Sequence, residues 1–152
     1  ALFRSSMIMG AYSSHAASDE DIEKMAKVAD CLGIAFQIRD DVLDYSNTNI
    51  LGKAPLNDLQ EKKMTLLLIY ALEQVSLVEC TKIKWLIKTK HNNKAAMQTV
   101  ADFVTRNGGI AYTQEKSNSF CEQAKELCET FPESESRSGL LNLIDYVRIP
   151  KV

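Results

Sequence analysis

Phe36-Gln37-Ile38-Arg39-Asp40-Asp41-Val42-Leu43-Asp44-Tyr45 sets three carboxylates and an amide along one side of an otherwise apolar helical run. At about 100° per residue, with Gln37 at zero, Asp41 falls near ~40°, Asp44 near ~340° and Asp40 near ~300°, so the four polar groups share an arc of roughly 100°. Ile34, Ala35, Phe36, Ile38, Val42 and Leu43 take the other directions. A helix that is apolar nearly all round is normally buried. Buried carboxylates are costly unless they are neutralised, and a divalent cation neutralises such a stripe.

The donors are all oxygen, with no Cys or His beside them, which favours magnesium or calcium over zinc. An EF-hand loop opened at Asp44 would place Asn49 where the loop needs Gly and Pro55 where it needs Glu, so that reading fails. Magnesium is typically held by one or two carboxylates together with substrate phosphates. Groups for those phosphates follow: Lys53 in the polar segment after the acids, and the Lys62-Lys63 pair in Asp58-Leu59-Gln60-Glu61-Lys62-Lys63-Met64-Thr65. Each signal has a plain reading, a solvated acidic helix face or ordinary surface lysines. The depth of the acids inside an apolar run weighs against it.

Composition sets wide bounds. A net charge of −2 and a pI near 5.7 give no general affinity for nucleic acid or an anionic surface. No apolar run approaches the ~18 residues of a membrane-spanning helix and no signal peptide is visible, so a cytoplasmic setting is expected. Cys31, Cys80, Cys121 and Cys128 form no Cys-x-x-Cys and are expected to be reduced, partly buried filler. His15 and His91 stand apart from the acids and receive no catalytic role.

Helix follows helix along the chain. Ser18 with Asp21 is a capping-box start for a helix to about Tyr45, with Ile22, Met25, Ala29, Leu32 and Phe36 as its inner stripe. After a polar connection from Ser46 to Asn57, a helix is expected from Asp58 to about Gln74 with Leu66, Ile69, Tyr70 and Leu72 facing the core. Others cover Leu77 to Lys88, a stretch between Asn93 and the stop signal Gly108-Gly109, Ile110 to Phe131, and Ser134 to Arg148. Trp85, Tyr70 and Phe103 are expected in the core. Strand-type alternation is missing, so residues 1–152 are expected to form a single all-α domain, a helical bundle.

Several separated motifs, in order, resemble the trans-isoprenyl (polyprenyl) diphosphate synthases. Phe36-Gln37 followed by Asp40-Asp41-x-x-Asp44-Tyr45 is similar to that family's second aspartate-rich motif. Gly52-Lys53, Asp58-Leu59, Lys63 and Thr65-Leu66 resemble its next block. Gly108-Gly109-Ile110 with Tyr112, Pro132-x-Ser134-x-x-Arg137 and Asp145-Tyr146-Val147 resemble its C-terminal helices. The family usually has Gly at the place of Lys62 and Pro at that of Leu67, so the helix that starts there is expected to be less kinked.

The resemblance implies a bundle of the isoprenoid synthase type whose N-terminal half, with the first Asp-Asp-x-x-Asp, precedes Ala1; the complete catalytic domain of the family is roughly twice as long. It implies a Mg²⁺-dependent prenyltransferase, commonly homodimeric, that joins isopentenyl diphosphate to an allylic diphosphate. In it Asp40 would be the principal metal ligand, with Asp41 and Asp44 as water-mediated partners. Lys53 and Lys63 would contact phosphates, and the Phe36-Gln37 pair would bind substrate, Gln37 orienting its reacting end. This stretch alone is expected to be inactive. The rival readings are a non-catalytic, synthase-like interaction subunit and a small magnesium phosphohydrolase, the latter short of metal ligands.

Overall fold

The computed structural model of the chain describes residues 1–14, 17–45 and 56–148. Among these the order is α1 (Leu2–Ser13), α2 (Asp19–Asp44), α3 (Asn57–Gln60), α4 (Leu66–Glu73), α5 (Leu77–Lys90), α6 (Lys94–Arg106), α7 (Gly109–Glu129) and α8 (Glu135–Val147), with no strand among the described residues. The all-α expectation is therefore met. Two compact units divide the chain: Ala1–Arg39 with Glu115–Val152, and Asp40–Gln114.

In the first unit, the start of α2 is the expected capping box. Ser18 Oγ accepts the Asp21 N–H at 3.2 Å, while the Asp21 carboxylate accepts the Ser18 N–H at 3.1 Å and its hydroxyl at 2.7 Å. Val28, Leu32 and Ala35 of α2 pack with Cys121, Ala124 and Cys128 of α7 and with Ile144 and Val147 of α8. Small side chains at Ala35 and Ala124 let the helices come close, and Ser117 Oγ donates to the Ala35 carbonyl at 3.3 Å. Phe3 and Met7 of α1 cover this cluster. The Phe3 ring lies over Gly33 and tilts against Phe36 at 5.3 Å. Of the expected inner stripe Ala29 and Leu32 are buried, Ile22 and Met25 half-buried, and Phe36 is 43% exposed, so the stripe does not run the helix's full length.

All four cysteines are free thiols, two of them buried, and burial pushes the thiols of Cys31, Cys121 and Cys128 up from their ordinary values. Arg39 is held by Tyr146, whose ring it overlies at 4.4 Å and whose carbonyl it donates to. Ser134 caps α8 by accepting the Arg137 N–H at 3.1 Å, and Arg137 Nη1 donates to the Phe131 carbonyl at 2.8 Å. The Ser134 and Arg137 pair thus ends one helix and begins another.

The second unit corrects one expected element. The helix from Asp58 to Gln74 is two helices, α3 and α4, because the chain turns at Lys62 with φ of 60°. Lys63 N–H bonds the Asp58 carbonyl at 2.8 Å and Lys62 N–H bonds that of Leu59 at 3.1 Å. This is a Schellman ending with Lys62 at the left-handed position that favours glycine. The lysine therefore does not straighten the chain; the backbone hydrogen bonds impose the break. Restarting at Leu66 also turns the buried face of α4, which is Leu67, Leu68, Ala71 and Leu72, leaving Ile69 exposed and Leu66 and Tyr70 half-buried. Tyr70 stacks on Tyr112 at 3.9 Å. Phe103 is fully buried as expected, whereas Trp85 is 53% exposed, contrary to its core assignment.

Helices α5 and α6 form a hairpin, with Asn93 Oδ1 accepting the Ala96 N–H at 3.1 Å at the start of α6. Gly108, at φ 75°, ends α6, and α7 starts at the next residue. A Cβ on Gly109 would lie 2.5 Å from the Leu67 carbonyl oxygen and 2.8 Å from Val104 Cγ1. Gly109→Ala should therefore cost about 1–3 kcal/mol through overpacking. Lys62→Gly, which relieves a left-handed lysine, should instead stabilise by roughly 0.5–1 kcal/mol. Urea unfolding of both variants checks the pair; a neutral Gly109→Ala would contradict the close contact.

Candidate functional site

The acidic motif closes α2, and within the second unit its last member does structural work. Leu56, at the N-cap of α3, is left-handed and offers no side-chain cap. Asp44 takes that place from a distance: Oδ1 accepts the Asn57 N–H at 3.1 Å, Oδ2 accepts the Asp58 N–H at 2.9 Å, and its carbonyl accepts the Leu56 N–H at 2.9 Å. The first two amides of α3 are thus satisfied by a carboxylate from another helix.

That anchor gathers charge. Lys63 Nζ bonds Asp58 Oδ1 at 2.8 Å and Glu61 Oε2 at 2.9 Å, and these two hydrogen bonds, Asp58 first, raise its pKa above the ordinary lysine value. Burial raises the Asp44 carboxyl above its usual range, opposed by the Asp58 N–H and assisted by the Asp58 charge. Next to it, Tyr45 is buried with its hydroxyl 3.5 Å from Thr65 Oγ1, and burial pushes it up to about 12. The charges of Asp44, Asp58 and Asp41 add to that shift, so the phenol stays protonated among acids.

Asp40, Asp41 and Asp44 are each half-buried at the end of α2. Lys63 is exposed at the α3–α4 turn. Phe36 and Gln37 lie on α2 in the first unit, both exposed. Lys53, and with it Ser46 to Pro55, lies outside the described residues, as does His15. Sequence reasoning missed Asp58 and Glu61 as the holders of Lys63 and Asp44 as the cap of α3. The missing side-chain cap before Asn57 was the available signal.

Among the described residues no three His, Cys, Asp or Glu side chains gather to enclose a metal by themselves. The donors do fit an oxygen-preferring cation held by few protein ligands: Asp44 already accepts two amides, which suits a water-mediated place, while Asp40 and Asp41 are the acids adjacent to it. An ion held by so few protein ligands takes the rest of its coordination from water or a bound anion. Asp44→Ala, which strips both amides of their acceptor, should cost about 2 kcal/mol of stability, and Asp44→Asn about half of that. Denaturant unfolding decides, and wild-type stability in Asp44→Ala would mean that the anchor contributes nothing.

Comparison with known proteins agrees with this architecture. The sequence profile described as polyprenyl synthetase matches residues 1–104. The chain is 32% identical over 151 residues to the geranylfarnesyl diphosphate synthase of Aeropyrum pernix, covering 97% of this chain and 46% of that protein. It is 28% identical over 131 residues to the nonaprenyl diphosphate synthase of Mycobacterium tuberculosis, covering 86% and 39%. In structure it resembles a polyprenyl synthase from Caulobacter crescentus, solved with calcium and isoprenyl diphosphate, at a TM-score of 0.86 and 26% identity over 96% of this chain and 44% of that one. It also resembles a geranylgeranyl pyrophosphate synthase from Bacteroides thetaiotaomicron, at 0.84 and 28%, covering 96% and 48%. The chain spans less than half the length of these relatives.

Proposed function

The chain belongs to the polyprenyl synthetase family, and from that premise we propose that it serves a Mg²⁺-dependent prenyl transfer joining isopentenyl diphosphate to an allylic diphosphate. The observation that carries this reading is the acidic end of α2 tied through Asp44 to α3, with the protonated Lys63 held beside it. In this proposal Asp40 would be the principal ligand of the ion, with Asp41 and Asp44 serving it through metal-bound water or from the outer shell. When bound, Mg²⁺ supplies positive charge against the diphosphate leaving group. Calcium with isoprenyl diphosphate in the Caulobacter crescentus relative supports that choice of site class.

The residues then divide the work. Lys53 and Lys63 set fixed cations against the phosphate oxygens, where they strengthen as negative charge builds on departure. Gln37, next to Phe36, orients the reacting end of the substrate. The C–O bond to the allylic carbon breaks, the diphosphate leaves with the electron pair, and the double bond of isopentenyl diphosphate attacks the cation to form a new C–C bond. A proton passes to the released diphosphate and a product one five-carbon unit longer remains.

The setting belongs to the proposal too. We read residues 1–152 as part of one catalytic domain, acting in the cytoplasm as a homodimer; no described helix is long and apolar enough to cross a membrane. Exposed Leu2, Met9 and Tyr12 on α1 support association. With one acidic motif, the 152-residue chain alone should not elongate an allylic primer. Asp40→Asn in the active enzyme should lower kcat on the order of 10²-fold or more with the fold intact by circular dichroism. Lys53→Ala should weaken allylic diphosphate binding as well as turnover. Steady-state kinetics with labelled isopentenyl diphosphate measures both; near-normal turnover by Asp40→Asn would make the acidic stripe a purely structural one.

A further inference from the structure

Helix α5 has a buried side fixed by Ile83 and Ile87. With Ile83 at zero and about 100° per residue, Thr81, Trp85 and Val78 fall near ~160°, ~200° and ~220°, with Leu77 near ~120°, all on the opposite side. The structure agrees: Leu77 is 85%, Val78 82% and Trp85 53% exposed. On the same scale Lys84 falls near ~100° and Lys82 near ~260°, at the two edges of the strip, while Lys88 near ~140° lies within it beyond Trp85 along the helix; all three are exposed.

The lysines of α5 are treated differently from those elsewhere. Lys24 pairs with Glu20 at 2.8 Å, Lys27 with Glu23 at 2.9 Å, and Lys63 with Asp58 and Glu61. The residues four before Lys82, Lys84 and Lys88 are Val78, Cys80 and Lys84, so none of the three has an acid at that spacing, and the acid three before Lys82 is Glu79. None of the three enters an ion pair with another described residue. Glu79, the acid of α5, faces Arg106 instead, at 3.6 Å. A chain with net charge −2 therefore keeps three lysines outside ion pairs around an exposed tryptophan and two aliphatic side chains.

We propose that the outer face of α5 docks on an anionic lipid surface, with Trp85, Leu77 and Val78 entering the interfacial zone and Lys82, Lys84 and Lys88 meeting lipid phosphates. A tryptophan suits that zone because its ring is apolar and its N–H polar. Lysine stems lie along the apolar surface while the ammonium groups reach the headgroups. Binding to such a surface draws on buried apolar area together with attraction between lysines and anionic lipid. An acidic protein partner would use the lysines but gives no comparable reason for three uncovered apolar side chains at their centre. The inference stands apart from the proposed reaction.

Trp85 is the chain's single tryptophan, so its fluorescence reports this face alone. The purified chain is titrated with vesicles of phosphatidylcholine and with vesicles of phosphatidylglycerol mixed with phosphatidylcholine, with and without brominated acyl chains. Expected are a blue shift and bromine quenching with the anionic vesicles only. The triple variant Lys82→Gln, Lys84→Gln, Lys88→Gln should bind roughly 100-fold more weakly, at about five-fold per lysine. Leu77→Ser with Val78→Ser, also surface positions, should lessen the quenching, and circular dichroism confirms that each variant is folded. Unchanged Trp85 emission with anionic vesicles would overturn the proposal, even if the chain co-sediments through another segment. So would equal binding to neutral vesicles, or full affinity in the lysine variant.

Discussion

A carboxylate that accepts two backbone N–H groups from another helix holds the acidic region of this protein together. Helix α3 is a single turn of four residues, too short to persist by propensity, and the residue before it offers no side-chain cap. Asp44 supplies the missing acceptors, and by doing so sets where Asp58, Glu61 and Lys63 lie. The negative charge suits the N-terminal end of α3, where unpaired amides carry a partial positive charge. Burial works in the opposite sense, and the raised Asp44 carboxyl is the resultant.

Much of this was readable from the residues. The helix from about Ser18 to Tyr45, the Ser18–Asp21 box and the Gly108-Gly109 stop are local features, decided within a turn or two of chain, and they stand in the structure, although the inner stripe stops short of Phe36. The break at Lys62 was not readable, because a lysine carries no turn signal; the Schellman bonds from Lys62 and Lys63 back into α3 override its preference. Once the break is misplaced, the face of α4 follows it, so Ile69 in place of Leu67 and Leu68 is the same error carried forward. Trp85 shows a different failure. Size and hydrophobicity argue for burial on average, but what covers a side chain is a tertiary fact.

The site was legible as a set of residue types more than as an arrangement. That three acids share one side of α2 follows from helix geometry. That the third of them faces the amides of a helix beginning thirteen residues later depends on how the chain returns, which no spacing rule encodes. Likewise, Lys63 was recognisable as a cation near acids, but its bonds to Asp58 and Glu61 form across a turn, outside the i,i+4 pattern that makes Lys24 and Lys27 easy to pair. Resemblance to a family supplied roles for these residues, and the packing supplies the reason they can be held still.

The remote cap on α3 also bears on the order in which the chain folds. A one-turn helix fixed at its start by Asp44 and at its end by a Schellman turn has little to gain from forming until the end of α2 exists. If these contacts form after the main barrier, a change at Asp44 leaves the folding rate as it is. Their free energy then resides mainly in the unfolding rate. In that order of events, the part of the protein that gathers its acids and lysine together acts as a brake on its undoing.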